Sequence, residues 1–219
     1  VTGRHLFHEE LDKLHHDLLK MGSLVAEAIY NSVKSLKEQD IDLAESIIAG
    51  DDIIDQMHID IENRCFRLIA LQQPMGIDLR RIGTMLKIVT DLERMGDHAN
   101  SIAKTTVRLK GEKYVKPLID IPKMAELVQK MVHDALDAYI NQDVDKAYEV
   151  AKRDDQIDKL YSIIFKDVVD IMTNDSSTIR QVTHLLFVAQ YLERVADHVT
   201  NLSEWIIYMV TGKLTELNN

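Results

Sequence analysis

Leu92-Glu93-Arg94-Met95-Gly96-Asp97-His98 returns one hundred residues later as Leu192-Glu193-Arg194-Val195-Ala196-Asp197-His198. The same offset pairs Leu79 with Ile179, Ile82 with Val182, Leu86 with Leu186 and Ile102 with Leu202. One helix is therefore written twice. Each copy sets a Glu and an Asp at i and i+4, which stacks two carboxylates on one helix face, about 6 Å apart. Like charges at that spacing weaken a helix unless something neutralises them, and the need arises in both halves of the chain.

Working outward, the apolar residues Leu11, Leu14, Leu18, Met21, Val25, Ile29 and Val33 recur every three or four positions. That spacing predicts an amphipathic helix over 5–38. Ile47, Ile54, Ile61 and Leu68 repeat every seven and predict a second over 42–71. Pro74 and Gly76 mark a turn, Asp78 is the expected cap, and the third helix fades near Lys110-Gly111. A short segment with two prolines, 111–122, links to three more predicted helices at 123–141, 144–173 and 178–211. The first two align with their counterparts at an offset of 103, so that Asp51, Asp52 and Asp55 fall on Asp154, Asp155 and Asp158. The expected fold is all-α: two tandem three-helix bundles related by internal duplication, with 1–111 as the first unit and 112–219 as linker and second unit.

Composition agrees and narrows the chemistry. Of 219 residues 46% are apolar, and the 26 basic against 36 acidic side chains give a net charge of −10. Such a chain can bury a sizeable core, while its charge disfavours nucleic acid and anionic lipid as partners. Cys65 is the only cysteine, which excludes an internal disulfide and suits a reducing compartment. No apolar run approaches the length of a membrane span. The expectation is a soluble, cytoplasmic protein.

The long helices two and three of each unit are joined by a short turn and fold back as an antiparallel hairpin. Residues equidistant from the turn then lie level, which puts Asp55 beside Glu93 and Asp51 beside Asp97. In the second unit Asp158 meets Glu193 and Asp154 meets Asp197. Glu93 also occupies the heptad row of Leu79 and Leu86, where a core leucine would stand. Four carboxylates so placed cost several kcal/mol unless paired or metal-bound. Oxygen-only sets suit hard or borderline cations such as Mg²⁺, Ca²⁺, Mn²⁺ or iron. The candidate metal ligands are Asp51, Asp55, Glu93 and Asp97 in one unit and Asp154, Asp158, Glu193 and Asp197 in the other.

Arg94, Arg194, Arg64 and Lys104 are the competing neutralisers. His98 and His198 point about 100° away from the acids and are expected at the rim or in solvent. A carboxylate-bundle metalloenzyme, either a di-iron-type oxidoreductase or a metal-dependent hydrolase, is the rival reading, but di-iron chemistry favours Glu-x-x-His on two helices. Here Asp55-x-x-His58 is answered by Asp158-x-x-Tyr161. No nucleophile motif, HExxH, P-loop or dinucleotide fingerprint is present. Trp205-Ile206-Ile207-Tyr208-Met209-Val210 is apolar all round and is expected in the core.

The run Ile69-Ala70-Leu71-Gln72-Gln73-Pro74, then Asp78-Leu79-Arg80, then Asp91 to His98, resembles the PhoU family of bacterial phosphate-uptake and phosphate-signalling regulators. The likeness extends over nearly the whole chain and includes the duplicated unit; its departures are Gln190-Tyr191 for Thr90-Asp91 and Ala196 for Gly96. It implies a non-enzymatic cytoplasmic homodimer. The implied partners are the ATPase subunit of the phosphate-specific ABC transporter and a membrane sensor histidine kinase, and the implied output is repression of the starvation response when phosphate is adequate. It further implies that the E(D)xxxD motifs, which coincide with the eight acids, carry multinuclear iron, with zinc, manganese, magnesium or calcium as alternatives.

Overall fold

The computed structural model describes residues 2–217, and the predicted periodicities become seven α-helices. The first unit is α1 (Thr2–Glu38), α2 (Ile41–Gln72) and α3 (Ile77–Arg108); the second is α4 (Asp120–Asn141), α5 (Val144–Ala151), α6 (Asp154–Asn174) and α7 (Ile179–Thr211). One 3-10 turn, Ser176–Thr178, closes the α6–α7 hairpin. The links α1–α2 and α4–α5 are the same turn used twice. Gln39 and Gln142 take left-handed conformations, the backbone N–H groups of Asp40 and Asp143 donate to Ser35 O and Ala138 O five residues back, and their carboxylates accept from Leu43 N and Lys146 N. A left-handed glutamine costs about 1 kcal/mol that glycine would not. Gln142→Gly is therefore expected to raise stability by about 0.5–1 kcal/mol in urea titration. Gln39 is a poorer place for that exchange, because its side-chain amide also holds Glu112 O at 2.6 Å.

Three boundaries differ from the sequence reading. The helix expected over 144–173 is broken at Lys152-Arg153, where the turn tightens to bonds three residues apart. There Arg153 reaches across to Asp134 on α4, a tertiary ion pair that periodicity does not encode. In the first unit α2 runs unbroken through the equivalent Gly50. The N-cap of α3 is Gly76, without a side-chain bond, rather than Asp78; Asp78 lies in the first turn, 3.7 Å from Arg81. Finally, α4 begins at Asp120, with Pro122 in its first turn, where a missing N–H costs nothing.

The two units share one continuous core. α3 packs on α7 and α1 on α4, α1 packs on α3 and α4 on α7, so these four helices form a central bundle. α2 covers α1 and α3 on one side, and α5 with α6 covers α4 and α7 on the other. Leu92 and Leu192, at the centre of the duplicated helices, are both fully enclosed. The approach of α1 to α4 is close: a Cβ added to Gly22 would lie 2.6 Å from Leu136 Cδ1. The C-terminal apolar run packs as expected, with Ile206, Ile207 and Met209 buried and Lys87 Nζ 5.4 Å from the centre of the Trp205 ring.

Candidate metal centres

On α2, Asp51, Asp55 and His58 stand at i, i+4 and i+7, one stripe facing α3. Gly96 lets the two helices close: an added Cβ there would lie 3.2 Å from Ile54 and 3.8 Å from Asp51 Oδ1. Asn100 donates to Asp51 Oδ2. Burial raises the Asp51 carboxyl, the Asn100 bond opposes that rise, and Asp55 and Asp97 add to it. Burial likewise raises Glu93, reinforced by Asp97 and opposed by Arg94. The Arg94 guanidinium spans Glu93 and Asp97 at 3.5 Å each while remaining 60% exposed. Pairs that long and that wet contribute little, about 0–1 kcal/mol. The first cluster is thus partly, and weakly, neutralised from within.

The second cluster has only longer-range help, from Arg194, which opposes the rise of Glu193 and Asp197 without pairing with either. Among the described residues Arg194 makes no ion pair with Glu193 or Asp197, and the place of Asn100 is taken by Thr200, whose buried hydroxyl has no partner. A cavity of about 390 Å³ opens where α5, α6 and α7 meet, walled by Asp154, Asp155, Asp158, Glu193 and Asp197 with Lys152 beside them. Asp154 Oδ1 is buried and unpartnered. Burial, then the charges of Asp158, Asp197 and Glu193, push the Asp154 carboxyl up to about 7. Glu193 and Asp197 are raised as well, chiefly by burial. Asp155, which the motif spacing does not single out, belongs to the wall of this cavity.

Each hairpin therefore gathers its four candidate acids on one face. They do not converge as they stand: among the described residues no three His, Cys, Asp or Glu side chains are placed to hold one metal ion. Like charges facing across a hairpin hold apart, and a cation is what would draw them in. An orphaned Asp154 oxygen among four other acids fits a hard cation, which accepts only oxygen donors and supplies the missing counter-charge.

Comparison with known proteins fits the duplicated architecture. The family model described as PhoU domain matches twice, over residues 18–106 and 121–206. The chain belongs to the PhoU family. A relative from Clostridium acetobutylicum, named phosphate-specific transport system accessory protein PhoU homolog, is 50% identical over 99% of both chains. The homolog of that name from Aquifex aeolicus is 41% identical over 95% of this chain and 94% of its own. The crystal structure of the phosphate transport system regulatory protein PhoU from Streptococcus pneumoniae superposes with a TM-score of 0.90 at 34% identity, covering 96% of this chain and 99% of that one. PhoU from Pseudomonas aeruginosa gives 0.91 at 35% identity, over 94% and 100%.

Within this PhoU fold the seam between the units holds groups that the sequence reading left at the rim. Thr84 meets Trp205, Asp91 meets His198 and His98 meets Tyr191, each pair seven residues on along both helices, so α3 and α7 run antiparallel. His198 Nδ1 lies 2.9 Å from Asp91 Oδ1, His98 stacks on Tyr191, and the two imidazoles are 5.8 Å apart. Neither histidine is solvated as expected; both are half-buried, because the face 100° from the acids is the face that docks the other unit. Burial, then the neighbouring His198, Arg194 and Arg94, push His98 down to about 4. The Asp91-to-Tyr191 departure between the repeats lies here, as a hydrogen bond on one side of the seam and a ring stack on the other.

Proposed function

We propose that this protein is a non-enzymatic accessory regulator of phosphate-specific transport that holds the phosphate-starvation response off while phosphate is plentiful. The observation that carries the reading is the match of both halves to the PhoU domain, together with 50% identity along the full length of a protein named for that transport system. The regulator acts in the cytoplasm, as a homodimer, on the transporter's ATPase subunit and on a membrane sensor histidine kinase. No helix among the described residues is long and apolar enough to cross a membrane, which suits recruitment through those protein partners. The eight hairpin acids hold metal ions, multinuclear iron being the resident that the family likeness implies, and zinc, manganese, magnesium or calcium the alternatives. The bound ions supply counter-charge and clamp each hairpin; the side chains supply the oxygen donors.

Deleting the gene in its host and following a starvation-induced phosphatase tests the reading. Output is expected to stay high in phosphate-rich medium and to return to low on complementation. Unchanged output in rich phosphate would falsify it. The rival carboxylate-bundle enzyme predicts oxygen consumption or phosphatase turnover by the metal-loaded protein that is lost in Glu93→Gln.

A further inference from the structure

The duplication gives a groove of one unit its counterpart in the other. An offset of 103 sets Gly50 against Arg153, Asn31 against Asp134, Leu43 against Lys146 and Glu27 against Lys130. In the second unit Arg153 lays its guanidinium on Asp134, and Lys146 Nζ stands 3.6 Å from the same carboxylate. The chain's own cation thus spans the gap between α4 and the α5–α6 junction. The equivalent place in the first unit is open: a groove of about 170 Å³ lies where α1 and α2 cross over Gly96 of α3. Leu24, Ala28, Leu43 and Ile47 give it apolar walls, Glu27, Asn31 and Asp51 line it as well, and among the described residues no cationic side chain does. A Cβ added to Gly50 would meet nothing within 4 Å, so space is free at the position from which Arg153 springs in the other unit. Asp51 is already engaged by Asn100, whereas Glu27 is exposed and, among the described residues, takes no part in an ion pair.

We propose that the α1–α2 groove is a socket for an arginine side chain supplied by a protein partner, the intermolecular equivalent of the Arg153 plug in the second unit. Apolar walls suit the methylene stem and an acidic rim suits the head, since long cationic side chains bury their stems and keep the charge at the edge. The room is adequate, because an apolar cavity of about 150 Å³ takes a benzene ring. Guanidinium presents paired donors to a carboxylate, which an ammonium cannot. Glu27 is the anchor: the counter-charge that stands at Asp134 in the second unit stands one helical turn earlier in the first, where Asn31 is neutral. Ile53, 58% exposed, adds an apolar shoulder for the residues flanking the arginine. The net charge of −10 favours approach of a basic segment, and an arginine seated in an apolar pocket is a common centre of binding energy. The socket works without bound metal, and its loss would leave the regulator reading where it stands.

Full-length protein with ¹³C-labelled isoleucine methyls, titrated with Nα-acetyl-arginine amide and separately with the uncharged citrulline analogue, tests the pocket. The methyls of Ile47 and Ile53 are expected to shift saturably with the arginine compound, and the citrulline compound to bind about tenfold more weakly. Glu27→Gln should weaken arginine binding severalfold. Gly50→Arg, which installs the side chain of the other unit, should abolish the shifts while circular dichroism stays that of the wild type; if that variant fails to fold, Glu27→Gln decides alone. No saturable shift, equal binding of citrulline, or shifts unaltered in Glu27→Gln would overturn the socket. For the partner, a benzoylphenylalanine photo-crosslinker replacing Ser46 on the rim, in the host, is expected to trap a protein whose cross-linked peptide carries an arginine within a few residues. Gly50→Arg should then suppress that adduct by about tenfold. Adducts only to lipid, to a second copy of this chain or to peptides without arginine, or no adduct at all, would overturn the assignment of the occupant.

Discussion

Asp154→Asn is expected to cut hard-cation affinity of the second cavity by about tenfold or more and, in the same stroke, to make the metal-free protein more stable at pH 8. Both effects come from one buried oxygen. The Asp154 carboxyl titrates at about 7 in the fold against 3.8 in an open chain, so the folded state holds its proton more tightly. Stability from this group is therefore greatest below about pH 4 and falls as pH rises from there through about 7, where the buried charge is half formed, and beyond. Taken whole the shift would amount to about 4 kcal/mol, but a carboxyl still in partial contact with water keeps roughly a third to a half of that, about 1–2 kcal/mol. Asn removes the charge and the pH slope together. Cation and proton compete for the same oxygen, so Mn²⁺ affinity of the wild type should drop by about tenfold per pH unit below about 7. Urea melts in chelator at pH 5.5 and 8, with Mn²⁺ titrations at pH 6 and 8, measure both sides. Equal Mn²⁺ affinity in wild type and Asp154→Asn would place the ions elsewhere.

The second large effect is expected at the crossing of α1 and α4. A Cβ on Gly22 would meet Leu136 at 2.6, 2.8 and 3.3 Å, and Leu136 is itself only 5% exposed, so its side chain must shift within the core. Gly22→Ala forces Leu136 off its rotamer. Gly22→Leu pushes the two helices apart and should cost about 1–3 kcal/mol or more, which for a chain of this length lowers the melting temperature by several degrees, about 2–4 °C per kcal/mol. Truncating the obstacle should restore part of the loss: Gly22→Leu with Leu136→Ala is expected to be less destabilised than the two single changes summed. Additive losses, or a Gly22→Leu protein that melts with the wild type, would mean that α1 and α4 do not touch here.

What could be read in advance, and what could not, divides along the range of the interaction. Leu92-Glu93-Arg94 and its copy fix a helix, a duplication and a hairpin level, because spacing within one chain segment decides all three. The placement of Asp154 level with Asp197 follows from counting back along two helices from their turn. The break at Lys152-Arg153 does not, since it accompanies an ion pair with Asp134 on another helix. The histidines were misplaced for a related reason. A 3.6-residue period tells which face is away from the acids, but only the docking of α3 on α7 makes that face an interior seam. The differences between the two clusters were legible as letters and not as chemistry. Asn100 against Thr200 acquires meaning once each side chain has, or lacks, something to bond.

α3 and α7 each present acids outward to a flanking helix and an imidazole inward to one another. A single rod thus serves as jaw on one side and as bearing on the other. Any roll of α3 must slide the His98 ring over Tyr191 and tug Asp91 against His198, so that its twin rod feels the torque. Were ions to occupy both clusters, any bias that one exerted on the other through this seam would have to run by the same factor in both directions, which is the reciprocity that linkage requires.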